Sequence, residues 1–389
     1  MSSFDFDCPP DRRDTHSMKW SRVAQRDVLP MWVADMDFAA PPAVLGALTE
    51  AISHGVMGYA KPWPSLIQAI VDGIARDHGW QIDPDWIVLL PGVVSGFNLA
   101  CQIAGAPGDA VATLTPVYPP ILSAPRNSGR QLICSDMVKN ANAPGERWAC
   151  DFDDLESRTS AQTRLFILCN PHNPVGRSWE AEELHALVDY AERHDLLVCS
   201  DEIHCGLVLD EETPHIPFAS LNEDAAQRCI TLMAPSKTWN IPGLSSAFAI
   251  ISDAKLRSRF RRAAEGIMPH TNVLGLVATE AAYRDAHDWR LALLDYLRGN
   301  AARVLQAVQA MPGITTTPVE ATYLAWLDCR ALNMNGPADF FESHGVLMSD
   351  GKDFGAPGFL RLNFGCSRAT LDEALARMHK ALSSLSASP

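Results

Sequence analysis

Several common sequence signatures are missing from this chain of 389 residues, and each absence narrows its possible function. No segment reaches the roughly 20 consecutive apolar residues of a membrane span, and the start MSSFDFDCPPDRR lacks the apolar stretch of a signal peptide. The ten cysteines never form a CxxC pair, and several lie in apolar runs, so we interpret them as small buried side chains. These absences predict a protein of the reducing cytoplasm with no membrane partner.

Positive charge is also scarce. The chain has 32 lysines and arginines against 46 aspartates and glutamates, which gives a formal net charge of -14 and an isoelectric point near 5.3. Nucleic acids and anionic membranes are bound by clustered lysines and arginines. The composition therefore predicts no nucleic-acid partner and favours small-molecule chemistry.

Three catalytic signatures are absent as well. No GxGxxG follows the first predicted strand, which argues against a nucleotide-dependent dehydrogenase, and no GxSxG marks the nucleophile of a serine hydrolase. The segment SDEIHC lacks HExxH spacing, and the histidines of HNPVGRSWEAEELH are too far apart for one metal-binding helix face. We therefore predict no metal site.

The first two thirds of the chain predict an α/β fold. Hydrophobic residues make up 47% of the sequence, and the length suits a large domain with a smaller one attached. Between about 87 and 251, the apolar runs IVLL, AVATL, LFILC, LLVCS, CITLM and AFAII alternate with helical stretches. Such alternation predicts a mostly parallel central sheet covered by helices.

The last third of the chain has a different pattern. Beyond about 281 we expect a long helix at 289–311, a helix at 336–344 and a terminal helix at 370–386, with short strands between them. This pattern predicts a smaller α/β domain. The expected division is an N-terminal arm with part of the small domain at 1–45, a large domain that binds the cofactor at 46–280 and a small C-terminal domain at 281–389.

Candidate chemical residues follow the strand-like runs. In a mostly parallel sheet, ligands bind at the carboxyl ends of the strands. The residues expected there are Gly92 to Ser95 after IVLL, Tyr118 after AVATLTP, Asn170 and Asn173 after LFILC, Asp201 after LLVCS, and Ser236 and Lys237 after CITLMAP. Five loops are thus expected to converge on one site.

The combination of Lys237 with Asp201 is the most informative feature of the sequence. An aspartate at the end of a buried strand is costly unless its charge is compensated. The protonated ring nitrogen of pyridoxal 5'-phosphate would compensate Asp201, and a lysine can bond covalently to the aldehyde of that cofactor. Alternatively, Asp201 is a helix N-cap or a solvated loop residue. The alternative interpretation of Lys237 is a charged group on the protein surface.

Three further residues fit the ring of the same cofactor. Asn173, between the prolines of NPHNPVG, and His204 could each donate a hydrogen bond to the ring hydroxyl, while Tyr118 offers a flat face for stacking. Ordinary turn chemistry explains Asn173 equally well. His204 and Tyr118 are also compatible with structural roles.

Two anion sites are expected. The predicted helix start in PGVVSGFNLA offers backbone N–H groups at Val93 and Val94 for a phosphate, and Ser236 adds a hydroxyl. Arg361 lies in the strand-like run FLRLNFG, where a guanidinium can bind an amino-acid carboxylate through two parallel hydrogen bonds. A structural ion pair is the alternative interpretation of Arg361.

Together these motifs resemble those of a known family. The strings WVADMDF, NPHNPVG and SDEIH, with GYAKP, PGVVSG, PVYPP, APSKTWNIPGL and FLRLNFG, are similar to those of the MalY/PatB group of cystathionine β-lyases, also called C–S lyases, among the fold-type I pyridoxal-phosphate enzymes. The resemblance covers nearly the whole chain. It implies that Lys237 is the catalytic residue and carries the cofactor, and that Asp201, Asn173, His204 and Tyr118 contact the cofactor ring.

The same resemblance implies the remaining contacts. Arg361 would hold the substrate carboxylate, Ala34 would line the substrate pocket through its backbone, and Tyr59 would reach the phosphate in the neighbouring subunit of a homodimer. Many aminotransferases have a phosphate-binding arginine where this chain has Ser245 and Ser246. The lyase group shares these serines, which favours the lyase branch.

The reaction implied by the resemblance is an α,β-elimination that cleaves cystathionine or a related cysteine conjugate to a thiol, pyruvate and ammonia. Lys237 would remove the Cα proton of the substrate. An aminotransferase of class I or II uses the same residues for its first steps, and a regulatory protein that binds pyridoxal phosphate would also keep them. The residues alone leave these alternatives open.

Overall fold

The computed structural model describes residues 4–140 and 146–386, and a seven-stranded β-sheet forms its centre. The strands, in chain order, are β1 (Leu29–Pro30), β2 (Ile87–Leu90), β3 (Ala110–Thr115), β4 (Gln131–Asp136), β5 (Val138–Asn140), β6 (Arg147–Ala149), β7 (Thr163–Cys169), β8 (Leu197–Asp201), β9 (Cys229–Met233), β10 (Ala247–Ile250), β11 (Thr315–Thr316), β12 (Leu324–Asp328), β13 (Val346–Leu347), β14 (Ser349–Asp350) and β15 (Phe359–Asn363). The central sheet has the order β2-β10-β9-β8-β7-β3-β4.

Six strands of this sheet run in one direction, and β10 runs against them. Only a short helical turn at Pro235–Thr238 and a 3-10 turn at Pro242–Leu244 separate β9 from β10. A parallel neighbour needs a longer crossover, so the short connection places β10 antiparallel to β9. The predicted mostly parallel central sheet of an α/β fold is confirmed.

Apolar side chains on both faces of the sheet build the core. In β9, Met233 packs into one hydrophobic cluster while Ile230 and Leu232 pack into the other. In β10, Phe248 and Ile250 likewise alternate with alanines that face the opposite cluster. Successive strand residues point to opposite faces, so the near-continuous apolar runs of the sequence are those of strands buried on both sides.

Helices cover both faces of the sheet. Their bounds, in chain order, are Met18–Ser21, Pro42–His54, Pro64–His78, Val93–Ile103, Pro119–Asn127, Phe152–Arg158, Ala181–Arg193, Glu223–Arg228, Pro235–Thr238, Ala254–Ala264, Val273–Asp285, His287–Gln309, Pro337–Ser343 and Arg368–Ser386. Local capping sets several of these ends: Asp253 accepts the backbone N–H of Leu256, and Glu180 and Glu183 form a reciprocal capping box. Within the described residues, no helix is both long enough and apolar enough to cross a membrane.

A second, four-stranded sheet has the order β11-β12-β15-β14 and carries Arg361 on β15. Helices occur within two residues of the expected positions 289–311, 336–344 and 370–386. The division at 45 and 280 stays a prediction. This second sheet supplies the only arginine among the predicted site residues.

The N-terminal arm is fixed to elements of both sheets. Strand β1 pairs in parallel with β13, and the backbone N–H of Asn363, on β15, donates to Met31. The side chain of Asn240, which follows β9, donates to the carbonyls of Met36 and Phe38. These contacts hold the segment WVADMDF beside the carboxyl ends of the central strands.

Candidate active site

The carboxyl ends of the central strands enclose a cavity of about 280 Å³. Strands β2, β3, β7, β8 and β9 all end at this edge because they share one direction. The predicted site residues that line the cavity are Ala34, Val93, Val94, Tyr118, Asn173, Asp201, His204, Ser236 and Lys237. Two predicted residues, Tyr59 and Arg361, do not line it.

Lys237 follows β9 on the helical turn Pro235–Thr238 and borders the cavity. Its Nζ donates to the carbonyl oxygen of Ala34 at 2.6 Å. Burial lowers the pKa of Lys237 to about 8, and the charge of Arg361 acts in the same direction, while Asp35 and Asp201 oppose it. About a tenth of this amine is therefore neutral and nucleophilic at pH 7, far more than for a lysine in water.

Asp201 ends β8 and is 3% exposed. Its Oδ1 accepts the backbone N–H of Ile203 at 3.2 Å, which is a turn contact and not a helix cap. Burial raises the pKa of Asp201 to about 7 because no cation compensates the carboxylate directly, although Lys237 lowers it somewhat. A cationic ring nitrogen placed in the cavity would supply the missing compensation.

Arg361 reaches the edge of the cavity through Asn173. One guanidinium nitrogen, Nη1, donates to Oδ1 of Asn173 at 3.1 Å, and Nη2 donates to the carbonyl of Trp32 at 2.9 Å. The guanidinium lies 4.7 Å from the ring centre of Phe354, and burial lowers the pKa of Arg361 to about 10. Among the described residues it forms no ion pair, so the structure does not support the alternative interpretation as a structural salt bridge.

The hydrogen bond from Arg361 fixes the orientation of Asn173. Because Oδ1 accepts this bond, the amide Nδ2 of Asn173 remains as a donor toward the cavity. His204 is buried, its Nδ1 has no partner within the described chain, and burial holds its pKa well below the ordinary value. A neutral imidazole carries one N–H donor. Asn173 and His204 are thus suited to a hydroxyl or phenolate oxygen between them.

Tyr118 and the helix Val93–Ile103 border the cavity from the sides of β3 and β2. The first backbone N–H groups of a helix have no acceptor within it, so those of Val93 and Val94 are available to an anion. A Cβ added at Gly92 would meet no atom within 4 Å, which leaves open space before the helix start. Burial raises the pKa of Tyr118, which keeps it a neutral flat surface.

These groups fit pyridoxal 5'-phosphate. An amine, a buried carboxylate without a cation, two donors and a helix start meet around one cavity. Ser236, Ser245 and Ser246 add hydroxyl-bearing residues to its lining, which contains no arginine. A phosphate bound in this cavity would therefore be held by neutral donors.

Tyr59 lies outside this cavity. It is fully exposed, and its ring faces His270 at 6.4 Å between centroids. It borders a groove with Met57 and the segment 269–274. No contact among the described residues brings Tyr59 to the cavity at the carboxyl ends of the strands.

Three residues that the sequence did not single out support the site. The hydroxyl of Tyr323 donates to the Ala34 carbonyl at 2.9 Å, so this oxygen accepts from both Tyr323 and Lys237. Asn240 and Asn363 hold the backbone of the arm segment on either side of Ala34. The sequence could have indicated a role for Asn363, because a polar residue in the apolar run FLRLNF needs a hydrogen-bond partner when it is buried.

Comparison with known proteins adds independent information. The family model described as aminotransferase class I and II matches residues 26–378. The curated cystathionine beta-lyase PatB of Bacillus subtilis (strain 168) is 37% identical over 390 residues, covering 97% of this chain and 100% of that protein.

Solved structures give the same result. The crystal structure of OvoB superposes with a TM-score of 0.95 at 45% identity, covering 98% of this chain and 100% of that one. Cystalysin from Treponema denticola, whose crystal structure contains a pyridoxal 5'-phosphate cofactor, has a TM-score of 0.92 at 32% identity and covers 98% and 99% of the two chains. The chain therefore has the fold of OvoB and of cystalysin.

Proposed function

The chain belongs to the aminotransferase class I and II family and, within it, to the MalY/PatB group, and from this membership we propose that it is a pyridoxal-phosphate-dependent C–S β-lyase. The substrate class is cystathionine or a related cysteine conjugate. The products are a thiol, pyruvate and ammonia. The similarity to a named cystathionine beta-lyase over 97% of this chain and all of that protein supports this reaction over transamination.

One observation carries the proposal in this chain: a lysine amine and an uncompensated buried carboxylate border one cavity. Lys237 has its pKa lowered to about 8, and Asp201 has its pKa raised to about 7. Titratable groups perturbed in opposite directions around one cavity are typical of a catalytic site. When bound, pyridoxal phosphate supplies an electron-accepting ring that the side chains of a protein lack.

The residues that would hold the cofactor follow from their chemistry. Lys237 would bond to its aldehyde carbon, and Asp201 would accept a hydrogen bond from its ring nitrogen. Asn173 and His204 would donate to its ring hydroxyl, and Tyr118 would pack on its ring. The N–H groups of Val93 and Val94, with Ser236, would bind its phosphate.

The remaining residues would position the substrate. Arg361 binds the substrate carboxylate, because a buried guanidinium without an acidic partner favours a planar anion. Once the substrate amine has displaced it from the cofactor, the neutral amine of Lys237 would accept the proton from Cα of the substrate, and the bond between Cβ and sulfur would break as the thiolate leaves. The Ala34 carbonyl, held by Tyr323, accepts a hydrogen bond from the Lys237 amine and so keeps it at this point.

We also propose a homodimer with shared sites. Exposed apolar side chains lie near Tyr59 in the chain, namely Val56 and Met57, and a further one, Ile267, comes three residues before His270, which the Tyr59 ring faces. Burial of such a surface against a second copy would be favourable, and it would carry Tyr59 toward the phosphate end of the neighbouring cavity. The unpaired state of all ten cysteines supports a cytoplasmic location.

The test of the reaction is a product assay on purified holoenzyme with cystathionine, run with and without an added keto acid. We expect thiol and pyruvate to be released at equal rates with no keto acid present. Release of neither product, together with conversion of the cofactor to its amine form, would contradict the lyase proposal and support an aminotransferase.

A further inference from the structure

A second cavity, of about 290 Å³, lies beside the first. Tyr118 borders both cavities, and Arg361 borders the second while it donates to Asn173 of the first. Trp32 and Phe354 also line the second cavity. The two spaces are therefore neighbours, with Tyr118 and the Arg361–Asn173 pair between them.

Arg361 lies where a ligand bound in the first cavity would pass into the second cavity. The residue is 5% exposed, lines the cavity, and its Nε has no hydrogen-bond partner among the described residues. A substrate with its amine at Lys237 and its carboxylate at Arg361 spans the boundary between the two cavities. The group beyond its sulfur then extends into the second cavity, since the first is taken by the cofactor.

The rim of the second cavity is rich in carboxylates. Four acidic side chains, Asp339, Glu342, Asp350 and Asp353, line the cavity against three basic ones, Arg22, Lys352 and the buried Arg361. Lys352 pairs with Asp350 at 2.8 Å, and Glu342 pairs with Arg26, which lies outside the lining, at 2.7 Å. The carboxylates of Asp339 and Asp353 form no ion pair within the described part of the chain.

We propose that this second cavity is the leaving-group subsite and that it selects cysteine conjugates whose thiol part carries a positive charge. This inference rests on the proposed lyase function. Asp339 and Asp353 supply negative charge that is not neutralised by an ion pair, and the same space is lined by Trp32 and Phe354, whose rings already contact the guanidinium groups of Arg22 and Arg361. A carboxylate at the same place meets repulsion from the rim, because the one buried cation, Arg361, binds the substrate α-carboxylate.

Three substrates of matched length test this selection: S-(2-aminoethyl)-L-cysteine, S-propyl-L-cysteine and S-(2-carboxyethyl)-L-cysteine. The measurement is kcat/KM for pyruvate release by the purified holoenzyme at low and high salt. We expect the order amine, propyl, carboxylate, with about a fivefold to tenfold difference between the two charged substrates, the size expected of partly solvated charge pairs. The difference should shrink at high salt because the rim is open to solvent.

Substitutions in the rim test whether its charged residues cause the preference for a positively charged leaving group. The double variant Asp339→Asn with Asp353→Asn should reduce the ratio of kcat/KM for the amine to that for the carboxylate, and Lys352→Gln should increase it. Use of this ratio removes any effect common to both substrates. Asp189→Asn, an exposed acid on Ala181–Arg193 that lines neither cavity, is the matched control and should leave the ratio unchanged.

The outcomes separate this inference from the function on which it rests. Equal cleavage of the two charged substrates, or faster cleavage of the carboxylate, overturns the charge selection and leaves the lyase function intact. An unchanged ratio in the double variant overturns the assignment to Asp339 and Asp353. Absence of pyruvate from all three substrates and from cystathionine contradicts the lyase function itself.

Discussion

Two neighbouring acids, Asp201 and Glu202, are almost equally buried, at 3% and 0% exposure, yet their surroundings are opposite. Glu202 accepts hydrogen bonds from the hydroxyl of Ser200, the backbone N–H of Phe218 and Nε2 of His215. Asp201 accepts one backbone N–H and faces the cavity. Burial therefore does not distinguish them, whereas the number of partners does.

The same contrast recurs for two basic residue types. Lys19 is fully buried and pairs with Asp37 at 3.0 Å, while Lys237 has only the neutral carbonyl of Ala34. Arg177 pairs with Glu183 in the interior, while Arg361 has no acidic partner in the described chain. Lys19 and Arg177 thus have their acidic partners within the protein, whereas Lys237 and Arg361 at the edge of the cavity leave that partner to be supplied by a ligand.

Substitution of Lys237 and of Lys19 should give the largest difference in activity between two variants. Lys237→Ala should abolish covalent attachment of the cofactor and lower kcat by about 10³- to 10⁴-fold, because the base that acts at Cα is removed. Lys19→Met should instead lower the free energy of unfolding, because it leaves Asp37 with one fewer partner, and should keep the attached cofactor. The measurements are the absorbance of bound cofactor, pyruvate release and urea denaturation; equal loss of attachment in both variants would remove the contrast.

The acid pair should separate activity from stability. Asp201→Asn keeps the turn contact to Ile203 but cannot compensate a ring cation, so kcat should fall by about 10²- to 10³-fold. Since burial raises the pKa of Asp201, the carboxylate is a cost to the folded apoprotein that grows as pH rises from 3.8 toward 7, and its removal should not destabilise the apoprotein at neutral pH. Glu202→Gln should lower the free energy of unfolding by about 1–3 kcal/mol, because buried donors lose a charged acceptor.

The expected pattern for the acid pair is thus a loss of turnover at one position and a loss of stability at its neighbour. Steady-state kinetics and urea denaturation of the apoproteins measure the two quantities. A destabilised Asp201→Asn beside a fully stable Glu202→Gln would reverse the assignment of roles.

Substitution of Arg361 should weaken substrate binding, whereas substitution of Arg177 should affect stability. Arg361→Lys replaces a planar fork with a point charge, so KM for cystathionine should rise by about 10- to 100-fold, the worth of a charged hydrogen bond. Arg177→Lys should change the melting temperature and leave KM nearly constant, because Arg177 holds Glu183 and the Trp148 carbonyl away from the cavity. An unchanged KM in Arg361→Lys would assign the substrate carboxylate to another group.

The pH dependence of cofactor uptake tests whether Lys237, unlike the paired Lys19, has a neutral amine near neutral pH. Because its pKa in the folded protein is lowered to about 8, the neutral amine increases as pH rises through that value. The uptake rate of the apoprotein should therefore rise by about fiftyfold from pH 6 to pH 8 and then level off. Stopped-flow absorbance measures this rate, and a midpoint near 10.5, the ordinary value for lysine, would show an amine exposed to water.

Much of the central sheet and of the candidate site could be predicted from the sequence, because apolar runs show where the strands end. An apolar run followed by Asp201 or Lys237 fixes both the strand and the residue that leaves it, and parallel strands must bring those residues to one edge. The reversed direction of β10 was also accessible, since no helix of crossover length separates it from β9.

Other features depend on contacts between distant parts of the chain. The hydrogen bond from Tyr323 to Ala34 joins positions separated by 289 residues, and no local pattern announces it. The hydrogen-bond partners of Arg361 are a side-chain amide, a backbone carbonyl and the hydroxyl of Ser349, and they likewise follow from tertiary packing and not from spacing. The role proposed for Tyr59 rests on the proposed homodimer and therefore on a second copy of the chain.

Identification of the lysine that carries the cofactor tests the central claim most directly. Holoenzyme reduced with borohydride, digested and mapped by mass spectrometry should carry the reduced cofactor on the peptide that contains Lys237 and on no other lysine. A label on a different lysine, or well-folded protein that acquires no label when supplied with pyridoxal 5'-phosphate, would contradict the account.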